Sequence, residues 1–381
     1  MSDTLGQYDD WVKEDSNVAA LTMRQWLEPV EGKDAAIFPP TYPIEQNSSG
    51  YNIDRFEGGF SVCQIDSVGS QANRMEPIFK RKEYQHLVPQ MIINAGQHKI
   101  HLLDAGHRAA DAIARFSTLG PELHEAFRAF CRDGNAEKLA RIAPTSIVFG
   151  SWDSRATQAK LPRIVRSVIR AFDVDEMHRS AQYSTIAGEI LEGGEAEVTT
   201  KGPKAELGLA HVPAVMTPGG VRVRGDIRCE AVLNLVPVRA LGSASGTVDD
   251  DLKLRRYILG LALVAFATPQ ENFLREGCLL VPDATKPPQW KAVKKDGTRE
   301  KLSIEHHVAL TYATEAAKEF GIKQPTQTFE FDNELAKQVM GLSEKERKEL
   351  LKSGAVTRDS LQRLKQSAKR KTEKDVSLGG S

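Results

Sequence analysis

The sequence predicts a protein of the α+β class, because segments typical of strands and segments typical of helices both occur along the chain. Residues 221–225 and 227–236 are typical of strands. Residues 249–268 predict a helix that is basic at its start and apolar from Ile258 to Phe266. Residues 304–320 predict another helix, which a glycine at 321 ends.

Length and composition indicate a soluble globular protein. The chain has 381 residues, 40% of them hydrophobic and 27% charged, which is enough for one large or two ordinary domains. The formal net charge is zero. Balanced charge argues against a globally basic nucleic-acid coat, but it leaves room for a basic groove that faces an acidic outer surface.

No segment predicts secretion, membrane insertion or a metal centre. The N-terminus lacks the basic and apolar regions of a secretory signal, and the best apolar window, 257–267, is too short to span a bilayer. The four cysteines are widely spaced without a Cys-x-x-Cys pair. We therefore expect buried free thiols in a cytoplasmic protein, with no zinc and no cofactor.

Four shorter segments of the first half have local signals. Residues 18–29 predict a short helix leading into a strand. A helix should begin after Asp66 or Ser67 as the N-cap and stop at Pro77. Residues 89–94 and 99–104 predict two short strands around a turn, and residues 146–149 predict a strand that delivers Gly150 and Trp152.

A basic stretch stands out because no acidic residue occurs between Asp153 and Asp173. The five cations of this stretch are Arg155, Lys160, Arg163, Arg166 and Arg170. Such a cluster on fixed backbone favours a polyanion partner, since Lys and Arg that neutralise phosphates release counterions. A solvated basic face is the alternative. Apolar spacing within residues 164–172 fits a helix, but the β-branched content favours a strand, which we predict.

Small hydrogen-bond donors crowd the predicted helix over residues 67–76. Ser67, Ser70, Gln71, Asn73 and Arg74 occupy the positions that the apolar face leaves free. Together with the unpaired backbone N–H groups at the helix start, they could cradle a phosphate. An ordinary capped surface helix would have the same pattern.

Residues 188–218 predict a long, hairpin-like excursion. Glycines and prolines are frequent there, Lys201 and Lys204 supply charge, and no long apolar period is sustained. Loops of this length in compact domains are usually functional. A polar segment with His178, Arg179 and Gln182 precedes the excursion.

The C-terminal part is highly charged. Residues 333–341 and 343–353 predict helices, the second starting with a capping box from Ser343 to Glu346. Residues 354–381 form a basic tail that we expect to be partly disordered.

Several runs together resemble one CRISPR-associated family. They are residues 66–76, the Phe149-Gly-Ser-Trp152 run, residues 161–163, 208–213, 228–239 and 255–281. In their order and number these runs resemble the RAMP-superfamily backbone subunit, Cas family seven, of the type I-G (formerly I-U) Cascade effector. The similarity spans roughly residues 20–285, and the tail after about residue 325 has no counterpart.

The resemblance implies a modified RRM-like (ferredoxin-like) antiparallel sheet with helices on one face and a long thumb hairpin at about 188–218. Residues 1–325 would form this backbone domain, and residues 326–381 a charged extension. The resemblance also implies a non-enzymatic protein of antiviral defence that coats the CRISPR guide RNA (crRNA) and presents it for pairing with target DNA. Its partners would be copies of itself and other Cascade subunits, with no membrane.

The residues that we expect to contact RNA come from the basic stretch, the helix of small donors and the excursion. They are Ser67, Ser70, Gln71, Asn73, Arg74, Ser151, Trp152, Arg155, Lys160, Arg163, Arg166, His178, Arg179, Gln182, Lys201 and Lys204.

The main alternative is a metal-dependent RNA endonuclease of the same superfamily, using Asp66 or Asp153. No paired carboxylate cluster or metal spacing supports it. Ser151, His178 and Asp173 could be drawn as a hydrolytic triad, but no nucleophile-elbow pattern surrounds Ser151. An aromatic RNP motif, expected of a single-strand reader of the RRM type, is absent from the sequence.

Overall fold

The computed structural model of the chain describes residues 4–45, 48–187, 190, 197–323 and 326–378. It is a mixed α+β structure, in which helices pack on one face of a large antiparallel sheet. This confirms the class that the sequence predicts.

The strands are numbered in chain order. They are β1 (Val18–Pro29), β2 (Ala36–Ile37), β3 (Thr41–Glu45), β4 (Ser48–Tyr51), β5 (Ile53–Arg55), β6 (Ser61–Asp66), β7 (Met91–Ala95), β8 (His98–His101), β9 (Ser151–Trp152), β10 (Lys160–Leu161), β11 (Val165–Phe172), β12 (Val174–Tyr183), β13 (Val212–Val223), β14 (Ile227–Asn234), β15 (Asn272–Arg275), β16 (Cys278–Pro282), β17 (Gln289–Lys294), β18 (Arg299–Lys301) and β19 (Gln327–Glu330).

The α-helices that we name are also numbered in chain order. They are α1 (Asp9–Val12), α2 (Val68–Met75), α3 (Ala112–Arg115), α4 (Gly120–Asp133), α5 (Glu137–Ile142), α6 (Pro144–Val148), α7 (Pro203–Glu206), α8 (Leu235–Arg239), α9 (Val248–Ala267), α10 (His306–Glu319), α11 (Asn333–Met340), α12 (Glu344–Ser353) and α13 (Arg358–Leu378). Short 3-10 turns occur at Gly6–Tyr8, Glu57–Gly59, Glu76–Lys80, Gln85–Leu87, Leu102–Asp104 and Arg108–Ala110.

Strand β1 lies inside the main sheet, whose order is β15-β16-β1-β14-β11-β6-β5. One edge of β1 pairs with β14, and its other edge pairs with β17 along its first half and with β16 at its end. Strand β18 extends the sheet beyond β17. All these pairings are antiparallel, so residues of neighbouring strands lie directly opposite one another.

The two faces of the sheet differ because side chains alternate along a strand. Leu21, Ile169 and Leu233 point to the side that carries the buried cores. Their neighbours Arg24 and Arg166 point to the opposite side, which we call the open face. The larger core joins this sheet to helices α2 and α9.

Helix α9 is the central element of the helical layer. Thr247 caps its start by accepting a hydrogen bond from the Asp250 N–H at 3.3 Å, and residues 257–266 are buried. Helix α10 packs on it so closely that a Cβ at Gly260 would lie 2.8 Å from the Cα of Ala313. This confirms the predicted helix over residues 249–268 and its apolar part, but its first turn is acidic and not basic, with Asp249, Asp250 and Asp251.

Strands β12 and β13 form a long antiparallel hairpin from Val174↔Val223 to Tyr183↔Val212. Only its base joins the core, because Val174 and Val221 are buried whereas residues 178–183 are exposed. The hairpin leads into the predicted excursion. Residues 188–189 and 191–196 of that excursion lie outside the described residues.

The C-terminal helices α11, α12 and α13 share a small core of their own. Strand β19, which leads into them, pairs in parallel with β7. The Ser343–Glu346 capping box is present, as predicted. Helix α13 runs over Arg358–Leu378, where the sequence predicted a partly disordered tail, because Leu361 is buried against this small core.

Two local predictions are wrong. Residues 146–149 were expected to be a strand but lie in helix α6 and its end, where Pro144 stands at the first helical position. Residues 18–29 are a strand throughout, without the initial helix. The strand prediction for residues 164–172 is confirmed by β11.

The cysteines are free, and Cys63, Cys229 and Cys278 are buried. Cys131 is exposed, contrary to the expectation of buried thiols. Burial raises the pKa of the Cys63 thiol to about 12 and that of Cys229 to about 11. Within the described residues, no helix is both long and apolar enough to cross a membrane.

Candidate nucleic-acid interface

Helix α2 begins directly after Ser67, which is one of the two predicted N-caps. The Ser67 hydroxyl accepts a hydrogen bond from the Ser70 N–H at 3.2 Å. Ser67 and Ser70 are both half-buried. The cap therefore satisfies one of the backbone donors that a phosphate would otherwise use.

Gln71 and Arg74 of the same helix both bond to other groups of the protein, although Gln71 is buried and the Arg74 side chain is 39% exposed. The Gln71 amide donates to Asp66 Oδ2 at 2.7 Å, and Arg74 Nε donates to the same oxygen at 3.1 Å. Arg74 Nη2 also donates to the carbonyl oxygen of Leu274 at 2.8 Å. Ser167 of β11 donates to Gln71 Oε1 at 2.8 Å, so these residues lock the helix to the sheet.

The end of α2 meets a buried ion pair. Arg108 lies 2.6 Å from a carboxylate oxygen of Glu76, and both side chains are buried. Arg108 Nη2 also donates to Asn73 Oδ1 at 3.2 Å. Burial raises the pKa of Glu76 to about 7, although the Arg108 cation and a hydrogen bond from Thr145 lower it.

Arg163 lies next to this pair. Its Nη1 donates to the carbonyl oxygen of Phe149 at 3.0 Å, and Gly150 packs against its side chain. Burial and the nearby Arg108 cation lower the pKa of Arg163. Arg163 thus helps to position the Phe149-Gly-Ser-Trp152 run.

Trp152 and Lys160 form an exposed pair on the short hairpin of β9 and β10. They are direct cross-strand neighbours, and the Lys160 ammonium lies 5.7 Å from the centre of the Trp152 ring. Trp152 is 58% exposed and Arg155 is also exposed. An open aromatic ring beside a cation can stack a base and hold its phosphate.

Asp153 holds the loop between β9 and β10. Burial would raise the pKa of Asp153, but hydrogen bonds from Thr157 and the Arg115 cation lower it below its ordinary value. The Arg115 guanidinium lies 2.9 Å from Asp153 Oδ1. Ser151 donates to the carbonyl oxygen of His107 at 3.4 Å, and Asp173 pairs with Arg224 at 2.8 Å. A hydrolytic triad would instead need Ser151 and Asp173 to bond to His178.

Arg166 and Arg170 lie on the open face of the sheet, where they line a groove of about 460 Å³. We call it the sheet-face groove. Its charged lining residues are Arg24, Arg166, Arg170, Lys291, Arg299 and Glu230. Ser167, between the two arginines, points to the other face.

The remaining predicted residues belong to the hairpin. His178, Arg179 and Gln182 are exposed on β12, and the Arg179 guanidinium lies 5.9 Å from the centre of the Phe38 ring. Lys201 is exposed beyond the hairpin strands. Lys204 lies 3.3 Å from Glu197, so its charge is partly balanced.

The structure thus distributes the predicted residues over four parts of the molecule. On α2, Gln71 is buried at the core face whereas Asn73 and Arg74 are exposed. Arg166 lies on the open face, and the His178 group lies on the hairpin. Trp152, Arg155 and Lys160 share one exposed loop pair.

Residues 21–176 match the model of the family described as CRISPR-associated protein GSU0053. The match supports a CRISPR-associated protein. It covers the chain from β1 to the first residues of β12, which includes α2, the Phe149–Trp152 run and β11. No curated protein matches the chain.

Sequence reasoning missed Arg24, Lys291 and Arg299. Arg24 joins the groove through the pairing of β1 with β14, and Lys291 and Arg299 join it through the pairing of β17 with β1 and of β18 with β17. Arg24 lies in residues 18–29, which were predicted as a short helix leading into a strand, so the alternation of β1 was the available signal. Lys291 and Arg299 gave no such signal, because β17 and β18 are short strands among glycine, proline and lysine residues.

Carboxylates and histidines do not assemble into a metal centre within the described residues, where no three His, Cys, Asp or Glu side chains come together. His107 lies 3.6 Å from Asp111 on an exposed turn. Asp66 and Asp153 have hydrogen-bond donors from the protein itself, as described above.

Proposed function

We propose that the chain is the crRNA-binding backbone subunit, Cas family seven, of a type I-G Cascade effector. It would oligomerise along the guide RNA in the cytoplasm and present the guide for pairing with target DNA. The observation that carries this proposal is the match of residues 21–176 to a CRISPR-associated family. Sequence recognition would then be left to base pairing by the guide.

The strand order supports an RRM-like core. The chain runs β1, a helical region, β11, β14, α9 and β17, while the order in space is β17-β1-β14-β11. This is the β-α-β-β-α-β order of ferredoxin-like folds, to which RRM domains belong. Residues 1–325 would form this backbone domain with residues 326–381 as its extension.

The hairpin of β12 and β13 supports a thumb. Its strands expose apolar side chains, with Met177 41%, Val215 69% and Met216 64% exposed. Apolar groups on a projecting hairpin favour a partner surface. We propose that the thumb, at about 188–218, contacts a neighbouring copy and the guide RNA.

The same geometry favours binding over RNA cleavage. A nuclease would need carboxylates free to hold a metal ion. Asp66 and Asp153 are buried and accept hydrogen bonds from Gln71, Arg74, Arg115 and Thr157. We therefore propose a non-enzymatic subunit.

The test is to purify the protein from its native effector operon and measure absorbance at 260 nm before and after RNase treatment. We expect a 260 nm excess that RNase removes. Purified protein with guide and target RNA plus Mg²⁺ should bind both without cutting. Metal-dependent cuts at regular spacing would favour the endonuclease, and absence of any bound RNA would contradict both functions.

A further inference from the structure

The sheet-face groove crosses four strands in register. Arg166 of β11 pairs with Val232 of β14, Val232 pairs with Thr22 of β1, and Thr22 pairs with Lys291 of β17. Neighbouring strands lie about 4.8 Å apart, so this row spans roughly 14 Å. The row has a cation at each end, with a valine and a threonine between them.

The charges of the groove do not balance. Five cations line it, and Glu230 is its one carboxylate among the described residues. Glu230 lies 2.7 Å from Arg24 and 3.9 Å from Arg170, so it serves both. Arg166 and Lys291 have no ion-pair partner within the part of the chain that the structure describes.

The floor of the groove between these cations is apolar. Val168 and Val232 line it, and Val168 is 5% exposed although it faces the open side. An inorganic anion would need only the charges. A ligand that combines spaced negative charges with flat apolar surfaces fits both the rim and the floor.

The other end of the same face provides a contrast. There Asp226 accepts hydrogen bonds from Trp26 at 3.1 Å, Arg228 at 3.0 Å and Lys286 at 2.7 Å. The fold therefore places a carboxylate against these cations, whereas Arg166 and Lys291 lack one. Uncompensated cations repel one another, so a polyanion in the groove would relieve this cost.

We propose that the sheet-face groove binds the phosphodiester backbone of a single-stranded nucleic acid, at a site separate from helix α2 and from the hairpin. Arg166, Lys291 and Arg299 contact phosphates, and Val168 and Val232 contact ribose or base. Glu230 holds Arg24 and Arg170 in place at one side. The sequence already predicted Arg166 as an RNA contact, and the groove adds Lys291 and Arg299 to it. The site does not depend on the proposed guide-binding role, because it follows from the open face alone and applies to RNA or DNA.

The experiment compares the wild type with Arg166→Ala/Lys291→Ala. Anisotropy of a labelled oligonucleotide of about 12 residues is titrated at several salt concentrations. Two lost phosphate contacts should reduce the slope of log affinity against log salt by roughly 1.4. The matched control, Lys286→Ala/Lys337→Ala, removes two cations that pair with Asp226 and Glu334 and should keep the wild-type slope.

RNA and DNA of one sequence are measured in parallel. The nucleic acid whose salt slope is reduced more in the double variant is the source of the phosphates. An unchanged slope for both, or a wild type that binds neither, overturns the proposal. The proposal is also overturned if poly-glutamate of matched charge displaces the oligonucleotide as well as a nucleic acid does, because the groove would then be a general anion-binding surface. Thermal unfolding confirms that each variant is folded.

The guide-binding function has its own readout, the RNase-sensitive absorbance of the purified wild type. If the wild type carries guide RNA and the double variant keeps the wild-type salt slope, only the groove proposal is refuted. If the wild type carries no guide RNA and the double variant has a reduced salt slope, only the guide-binding role is refuted.

Discussion

Ser167 and Gln71 are joined by a hydrogen bond of 2.8 Å between strand β11 and helix α2. Ser167 follows Arg166 directly, yet the two side chains lie on opposite faces of the sheet. The helix that was predicted to cradle a phosphate is therefore attached to the face opposite the groove. Gln71 and Asp66 are both buried, and the hydrogen bond between them is part of this attachment.

Replacing Gln71 tests whether it serves the fold or the RNA. Gln71→Ala removes the partner of Ser167 and one partner of buried Asp66, so we expect a loss of about 1–3 kcal/mol in the free energy of unfolding. Denaturant titration measures this. Ser70→Ala is the control and should stay within about 0.5 kcal/mol. Unchanged stability together with weaker RNA binding would assign Gln71 to the interface instead.

Gly150 cannot be replaced without strain. Its φ is +78°, and a Cβ would lie 2.7 Å from Arg163 Cγ and 3.1 Å from the carbonyl oxygen of Leu161. We expect Gly150→Ala to cost about 2–4 kcal/mol, from the left-handed backbone and from overpacking. Gly96→Ala has the same backbone strain in open space, so it should cost only about 1–2 kcal/mol. Equal costs at both positions would show that Arg163 and β10 move aside freely.

Glu76 should make stability depend on pH. A carboxyl whose pKa rises from 4.5 to about 7 on folding binds its proton more tightly in the folded state. Its contribution is thus fully present below pH 4.5 and is lost as pH rises through 7. The amide of the Glu76→Gln variant does not titrate. The stability of the wild type relative to this variant should therefore fall as pH rises, by at most about 1.4 kcal/mol per pH unit.

Unfolding of both proteins from pH 4 to 8 measures this difference. A difference that grows with pH would mean that the Arg108 cation outweighs burial and lowers the pKa of Glu76. His107→Gln is a suitable control, because His107 is exposed.

Shortening the hairpin should separate folding from assembly. Residues 184–211 are replaced by Asn-Gly, which can join the cross-strand neighbours Tyr183 and Val212 in a tight turn. Since only the base of the hairpin joins the core, we expect the unfolding midpoint to change little. Cooperative coating of a long single-stranded RNA should become non-cooperative, as binding isotherms would show.

A second variant, Met177→Ser/Val215→Ser, keeps the hairpin length and removes exposed apolar groups. It should weaken cooperativity without changing binding to a short oligonucleotide. Normal cooperativity in the shortened protein would remove the thumb from the proposal.

The fold was predictable where one local signal dominated. The β-branched residues of 164–172 outweighed their helical spacing, and β11 is a strand. The four-residue run 146–149 was too short for periodicity to decide, and burial on all sides of α6 removed any alternation. The charged tail contains Leu361 and Leu364 at helical spacing, but only the partner helices show what they pack against.

The candidate site was less predictable, because pairing between distant segments creates it. Counting charges located Arg166 but not its orientation, which the strand pleat decides. Arg24 and Lys291 come next to it only through the register of β1 with β14 and β17. Conversely, Arg74 looked free in the sequence and in the structure donates to Asp66 and Leu274.

The position of β1 between distant strands has a consequence for biosynthesis. Thr22 and Lys291 are neighbours in the sheet although 269 residues separate them. At 5–20 residues per second, a ribosome needs on the order of 15–50 s between the two. During this time the edge of β1 that pairs with β17 stays unpaired on the nascent chain. We therefore expect translation speed and chaperone supply to set the yield of soluble protein.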